Sequence, residues 1–293
     1  MNALEGSVAT TQVVSTIAEV RTVVQKARSQ ALTIGLVPTM GALHAGHASL
    51  IRAARAETGF VIVSIFVNPT QFGPNEDLSR YPRTFEADQQ LCAAEGTDLI
   101  FAPTPAEMYP PHSRTFVEVT GLQDQLCGAS RPGHFRGVAT VVLKLFNIAT
   151  PDVAYFGQKD AQQARIIQQM VRDLNLPINV RICPIVREED GLALSSRNRY
   201  LNPVQRRQAV VLYQALEEAR RAIKAGERDA ERIQQMLAKR VAGTAGALLD
   251  YAAVVDANSL RPVSLLEGSV LIALAVKFGE TRLIDNFQLE IKP

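Results

Sequence analysis

Two histidines three residues apart, His44 and His47, end the string P-T-M-G-A-L-H-A-G-H that runs from Pro38 to His47. The string lies where a strand-like apolar run gives way to a helical pattern, which in a doubly wound sheet is the ligand crevice. Gly41 and Gly46 let a ligand approach the backbone closely, and the free amides and positive end of the following helix favour an anion such as a phosphate. One turn apart, the two imidazoles can donate hydrogen bonds to charge developing on that anion. A metal site built on the same pair needs a third and a fourth ligand, and the chain has only two more histidines, His112 and His134. The dinucleotide signature G-x-G-x-x-G and the phosphate-loop signature G-x-x-x-x-G-K-[ST] are both absent.

The elements that must carry these residues follow from residue 32 onward. Short β-rich runs at 32–38, 60–67, 98–102, 152–156 and 178–186 alternate with helical windows at 48–57, 84–95, 137–149 and 161–173. That alternation predicts an α/β fold, a Rossmann-like doubly wound parallel sheet, with 60–67 as a central strand buried on both faces. The Pro-rich stretch 103–111 reads as a loop, followed by a strand at 115–119. Beyond residue 186 the rhythm stops. A polar segment, 187–202, leads to two long helices at 203–224 and 229–241 and then to strands at 250–256, 269–276 and 282–291. The chain thus divides into a nucleotide- and substrate-binding domain, 1–186, and a smaller C-terminal α+β domain, 187–293.

Composition narrows the function classes. With 47% apolar and 20% charged residues over 293 positions, the chain can bury one large core or two smaller ones, and disorder as the main state is excluded. Lys plus Arg number 31 against 29 Asp plus Glu, too even a balance for a surface that coats a polyanion, so no nucleic acid is expected as a partner. Cys92, Cys127 and Cys183 are odd in number and lack C-x-x-C spacing, which fits buried thiols in a reducing, cytoplasmic setting. Residues 1–20 carry Glu5 and no early cationic cluster, so they lack signal-peptide form, and no run of about 18 apolar residues predicts a membrane span.

The segment His44-Ala-Gly-His47 resembles the H-x-G-H signature of the nucleotidyltransferase superfamily, which includes class I aminoacyl-tRNA synthetases. Four further motifs occur in order: S-I-F-V-N-P-T-Q-F from Ser64, Y-P-R-T from Tyr81, F-G-Q-K-D from Phe156 and L-S-S-R-N from Leu194. Together they make the chain resemble the pantothenate synthetase family from about residue 20 to the C-terminus. The resemblance implies an ATP-dependent ligase that joins pantoate and β-alanine to give pantothenate. The route is a pantoyl adenylate, with release of pyrophosphate and then AMP. It further implies Mg²⁺, a homodimer and a mobile C-terminal domain.

Residue by residue, the resemblance puts Met40, Gly41, Ala42, Leu43, His44, Ala45, Gly46 and His47 on ATP, with His47 as proton donor in adenylation. An unperturbed histidine, with a pKa of about 6.5, suits that task. Gly157, Gln158, Lys159 and Asp160 form a second ATP contact, in which Lys159 pairs with phosphate and Asp160 accepts from ribose hydroxyls. Val186 contributes its backbone, and Leu194, Ser195, Ser196 and Arg197 stand where other members of the superfamily carry the mobile K-M-S-K-S loop. Because a carboxylate must approach a polyanion, His44, His47, Lys159, Arg197 and Mg²⁺ together neutralise charge; the ligands of the ion are not legible. Asn68, Gln71 and Gln163 are neutral amides that can orient pantoate without blunting its carboxylate, and Gln71 also meets β-alanine. Asn68-Pro69 is equally a turn signal, and Arg131 is either a substrate contact or a surface residue. No base for the β-alanine ammonium is identifiable. Two positions depart from the family pattern: Gln158 stands where Glu is common and Thr70 where Met is common.

Other readings are a cytidylyl- or adenylyltransferase that stops after nucleotide transfer and an ATP-binding regulatory module. Binding of tRNA is disfavoured because no cluster of lysine and arginine is visible.

Overall fold

A computed structural model describes residues 11–74 and 76–292. The first ten residues of the stretch read for a leader lie outside the described residues. Six strands, β1 (Gln12–Val14), β2 (Ile34–Thr39), β3 (Phe60–Ile65), β4 (Leu99–Phe101), β5 (Val153–Gly157) and β6 (Asn179–Cys183), form a parallel sheet in the order β1-β4-β3-β2-β5-β6. Alternate side chains feed two cores. Ile34, Leu36, Ile62 and Phe156 pack on one side with α1 (Ile17–Ser29), α6 (His134–Ala149) and α7 (Ala161–Asp173). Val37, Val61, Val63 and Tyr155 pack on the other with α2 (Ala45–Glu57) and Cys92 of α3 (Phe85–Ala94). Covered on both faces, these strands read as continuous apolar runs.

Strands β2, β3 and β4 step one way across the sheet, whereas β5 and β6 lie on the opposite flank of β2. The order therefore reverses between β2 and β5, and a crevice opens beyond their carboxyl ends. Each of those ends leads directly into a stretch singled out from the sequence.

The C-terminal part carries α8 (Pro203–Ala209), α9 (Val211–Lys224), α10 (Ala230–Ala242) and an antiparallel sheet of β7 (Ala247–Asp256), β8 (Gly268–Phe278) and β9 (Thr281–Ile291). Leu216, Ile223, Ile233 and Leu237 of α9 and α10 cover one face through Val254, Ile272, Leu274 and Phe287. From this smaller sheet, Val255, Leu271 and Ala273 join the core of the parallel domain, so it is seated on that domain.

Four expectations need correction. The alternation starts earlier than residue 32, with β1 and α1. Thr16 and Glu19 form a reciprocal capping box at the start of α1, a signal present in the sequence. Residues 115–119 are not a strand: they lie along α6, where the Val117 amide donates to Thr140 Oγ1 and the Arg136 guanidinium sits 3.9 Å above the Phe116 ring. The loop at 103–111 contains one helical turn, α4 (Pro105–Met108), with Thr104 as its cap. The helix expected over 203–224 is two, α8 and α9, joined at Val210. Between α4 and α6 lies one further short turn, α5 (Cys127–Ser130).

Candidate active site

The crevice is a cleft whose wall comes from three strand ends, one later loop and α6 with the preceding Arg131. Met40, His44, Gly46 and His47 follow β2; Asn68 and Gln71 follow β3; Gly157, Lys159, Asp160 and Gln163 follow β5. Val186, Leu194, Ser195, Ser196 and Arg197 close it from the segment after β6. Of the residues singled out from the sequence, Gly41, Ala42, Leu43, Ala45 and Gln158 do not line it.

The amides expected to receive an anion are largely engaged within the protein. His44 caps α2 itself: its Nδ1 accepts from the Gly46 amide at 3.1 Å, and its carbonyl accepts from the His47 amide. The amides of Ala42 and Leu43 donate to the two oxygens of Asp88 at 2.9 and 2.8 Å, so a buried carboxylate of α3 already neutralises that turn. Anion recognition thus falls to side chains.

In turn His47 Nδ1 accepts from the His44 amide at 3.3 Å. An imidazole whose Nδ1 accepts carries its proton on Nε2, so each histidine keeps an Nε2–H donor. Burial, and then the nearby Lys159 charge, lowers the His44 pKa to about 4. Burial followed by the His44 and Lys159 charges takes His47 to about 3. Burial thus favours the neutral form of both rings, each of which presents an Nε2–H donor. His134, lowered to about 4 by burial and then by Arg131, behaves alike. Below the ordinary value of 6.5 the unfolded chain therefore takes up protons that the folded chain does not, and stability decreases as the pH falls through this window. An NMR titration of histidine ring protons is expected to show no step for these three between about pH 8 and pH 5. A step near 6.5 from His47 would contradict a neutral ring with its proton on Nε2.

The cationic groups line the same cleft. Lys159 Nζ lies 3.6 Å from Asp160 Oδ1 and is mostly covered. Arg197 Nε and Nη2 meet the two oxygens of Asp77 at 3.2 and 3.1 Å, and Ser196 Oγ lies 3.4 Å from the Tyr81 hydroxyl. Among the described residues no group of three or more His, Cys, Asp or Glu side chains could hold a metal ion, and Asp160 is the one carboxylate lining the cleft.

The amide pocket is built around buried Asn68. Its Nδ2 donates to Gln71 Oε1 and to the Gly137 carbonyl, both at 3.1 Å, while its Oδ1 accepts from the hydroxyls of Thr70 and Tyr109, both at 2.9 Å. All its polar atoms are used inside the protein, and through Nδ2 Asn68 holds Gln71 in place. Thr70 belongs to the same network, which gives its departure from the family pattern a structural use.

Sequence reasoning missed several residues that set this geometry. Asp88 is one. Asn286 of β9 is another: its Nδ2 donates to the carbonyls of Gln158 and Lys159 at 3.0 and 2.9 Å, and its Oδ1 accepts from Gln158 Nε2 at 3.0 Å. Gln158 thus ties the smaller sheet to the lysine turn. Next to it, buried Asp285 is bound by Arg187 at 2.6 and 2.9 Å, at the root of the segment that carries Arg197. These partners come from positions 45 to 128 residues away, and no local signal points to them.

The family model for pantoate-beta-alanine ligase matches residues 12–288. A pantothenate synthetase of Moorella thermoacetica is 58% identical over 280 residues, covering 96% of this chain and 99% of its own. The crystal structure of pantothenate synthetase from Thermus thermophilus superposes with a TM-score of 0.89 at 46% identity, covering 96% of this chain and 100% of its own. That of the pantoate-beta-alanine ligase from Francisella tularensis, complexed with beta-gamma ATP and beta-alanine, gives 0.77 at 36% identity over 94% and 97% of the two chains. With matches of this extent placed on a cleft of this composition, the chain belongs to the pantoate–β-alanine ligase, or pantothenate synthetase, family.

Proposed function

We propose that this chain condenses pantoate with β-alanine to pantothenate at the expense of ATP, through a pantoyl adenylate. The observation that carries the reading is the convergence of two imidazole donors, a lysine, an arginine and two serines on one cleft that also presents the amides of Gln71 and Gln163. Polyphosphate needs the first set; a hydroxy acid whose carboxylate must stay nucleophilic suits the second.

In the first half-reaction a pantoate carboxylate oxygen attacks the α-phosphorus, the bond from that phosphorus to the β-bridging oxygen breaks, and pyrophosphate leaves. Lys159, Arg197 and the Nε2–H groups of His44 and His47 face the oxygens on which charge grows. Ser195 and Ser196 offer hydroxyl donors, and Val186 and Leu194 shape the wall where the nucleotide lies. In the second, the free amine of β-alanine attacks the acyl carbon, AMP departs with the acyl oxygen's electron pair, and the nitrogen sheds one proton to solvent or buffer. Mg²⁺ fits a donor set of one carboxylate plus phosphate oxygens and water. Asp160 would supply the protein's ligand, and the ion would offset phosphate charge.

We assign the nucleotide and pantoate sites to residues 1–186 and the covering part to 187–293, with the enzyme acting as a homodimer. The three free buried thiols support a reducing, cytoplasmic setting, and no described helix is long and apolar enough to cross a membrane. The deciding experiment is a coupled assay with ATP, pantoate, β-alanine and Mg²⁺, omitting one at a time. Pyrophosphate should form without β-alanine, and AMP should be released only with it. Pyrophosphate formation with no AMP release even when the amine is present would instead favour a nucleotidyltransferase that stops early.

Gln71→Ala is expected to raise the pantoate KM about tenfold or more, as loss of a buried hydrogen-bonding partner does, with the ATP KM little changed. Steady-state kinetics varying each substrate checks this, and an unaltered pantoate KM would remove Gln71 from the site.

A further inference from the structure

The two arginines that line the cleft are both held by carboxylates from adjacent positions of one segment. Arg131 donates to Glu76 through Nε at 2.7 Å and Nη2 at 2.5 Å. Arg197 donates to Asp77 through Nε at 3.2 Å and Nη2 at 3.1 Å. Neither carboxylate was singled out from the sequence, and neither lines the cleft.

The two pairs are built differently. Arg131 is wired onward: its Nη1 lies 3.0 Å from His134 Nε2, and His134 Nδ1 lies 2.8 Å from the Gln71 carbonyl. Since a guanidinium only donates, His134 Nε2 must accept and Nδ1–H must donate to that carbonyl. Glu76 therefore terminates a chain of hydrogen bonds that reaches the amide pocket. Among the described residues the Asp77 carboxylate bonds to nothing but Arg197, and its bonds are the longer ones. The remaining ties between its segment and the 195–200 loop are slight: Tyr81 to Ser196 at 3.4 Å, and the Tyr200 hydroxyl to the Arg80 carbonyl at 3.2 Å.

Arg197 is the cation that the 194–197 loop brings to the phosphate side, and its side chain keeps only 29% of its exposure. A guanidinium that far out of water needs an anion, and a bidentate carboxylate meets the same donor fork that a phosphate would. Resting on the reading of the cleft as an ATP site, we infer that Asp77 is a stand-in anion for the triphosphate. It holds Arg197 in its phosphate-binding orientation and is exchanged for phosphate oxygens, while Glu76 anchors the segment that carries it. When pyrophosphate leaves, Asp77 retakes the guanidinium, which favours release. Asp77 is thus a positioning residue that lowers the apparent affinity for the phosphates by competing for their partner.

The test is calorimetric titration of inorganic pyrophosphate into the unaltered chain, Asp77→Asn and Glu76→Gln, with thermal unfolding run on each. Both substitutions remove one negative charge, so a general electrostatic effect would act on both alike. Asp77→Asn is expected to bind pyrophosphate about threefold to tenfold more tightly, as removal of a competing state does. Its inhibition by product pyrophosphate should strengthen by the same factor. Glu76→Gln should bind no more tightly than the unaltered chain. Unchanged or weaker binding in Asp77→Asn would overturn the inference, as would equal tightening in Glu76→Gln. Asp77→Ser, with a smaller side chain, must show the same sign as Asp77→Asn. Failure of the unaltered chain to bind pyrophosphate at all would instead strike the ATP reading itself.

Discussion

Pyrophosphate formation in His47→Ala is expected to fall about 10²–10³-fold, and in Lys159→Ala by at least as much, while both chains stay folded. Removing one preorganised donor aimed at developing charge costs on the order of 3–4 kcal/mol in the transition state. His47 is such a donor, because its Nδ1 is committed to the His44 amide and its Nε2–H remains. Burial, which lowers its pKa to about 3, favours the neutral donor over an imidazolium acid. An imidazolium acid would make adenylation fade as pH rises through 6.5, whereas a neutral N–H keeps donating. The adenylation rate in the unaltered chain should accordingly lack a falling limb with a midpoint near 6.5 that disappears in His47→Ala. For stability, His47→Ala loses one long hydrogen bond at the start of α2, while the His44 cap on Gly46 persists, so a loss of about 1 kcal/mol is expected. Exchange of labelled pyrophosphate into ATP in the presence of pantoate, beside thermal unfolding, reads both effects. Exchange at the parental rate in both variants would show that these side chains do not meet the reacting phosphate.

How much of this was visible in the sequence follows from the range of the interactions involved. The run F-V-I-V-S-I-F-V announced β3 because a strand covered on both faces must be apolar throughout, and the capping pair Thr16 and Glu19 could have announced α1. A three-residue edge strand such as β1 carries too short a pattern, and the β-like string 115–119 was drawn onto α6 by contacts with Thr140 and Arg136. In the cleft, the residues legible beforehand were those whose chemistry is local to a motif, such as His44, His47, Lys159 and Arg197. Their supports were not legible. Asp88 acts across 46 positions, Asp77 across 120 and Asn286 across 128, and an isolated carboxylate or amide in a sequence says nothing about which turn it will clamp. The same limit explains the anion expectation at the start of α2. The amides before and within the first turn looked available only because the carboxylate and imidazole that take them up could not be placed.

Gly137 carries the clearest consequence of that hidden framework. It lies on α6 against the turn formed by Asn68, Thr70 and Gln71, and its carbonyl receives the Asn68 amide. A Cβ at this position would sit 2.4 Å from the Thr70 carbonyl oxygen, 2.6 Å from its carbon and 2.7 Å from the Gln71 amide nitrogen. These are backbone atoms and cannot rotate away, so either α6 or the turn must shift. Alanine improves helix propensity by about 1 kcal/mol, yet forcing a methyl into packed backbone costs about 1–3 kcal/mol or more. Gly137→Ala is therefore expected to lower the melting temperature by several degrees, on the order of 2–4 °C per kcal/mol lost at Tm for a domain of roughly 150–250 residues. The functional effect should be selective. The turn carries Gln71 and not the phosphate groups, so the pantoate KM is expected to rise about tenfold or more, as an unmade buried hydrogen bond implies, with ATP binding nearly constant. Thermal unfolding together with pantoate and ATP saturation curves measures both. An unchanged pantoate KM in a destabilised Gly137→Ala chain would mean that the turn relaxes without moving Gln71, and that the close approach of α6 serves packing alone.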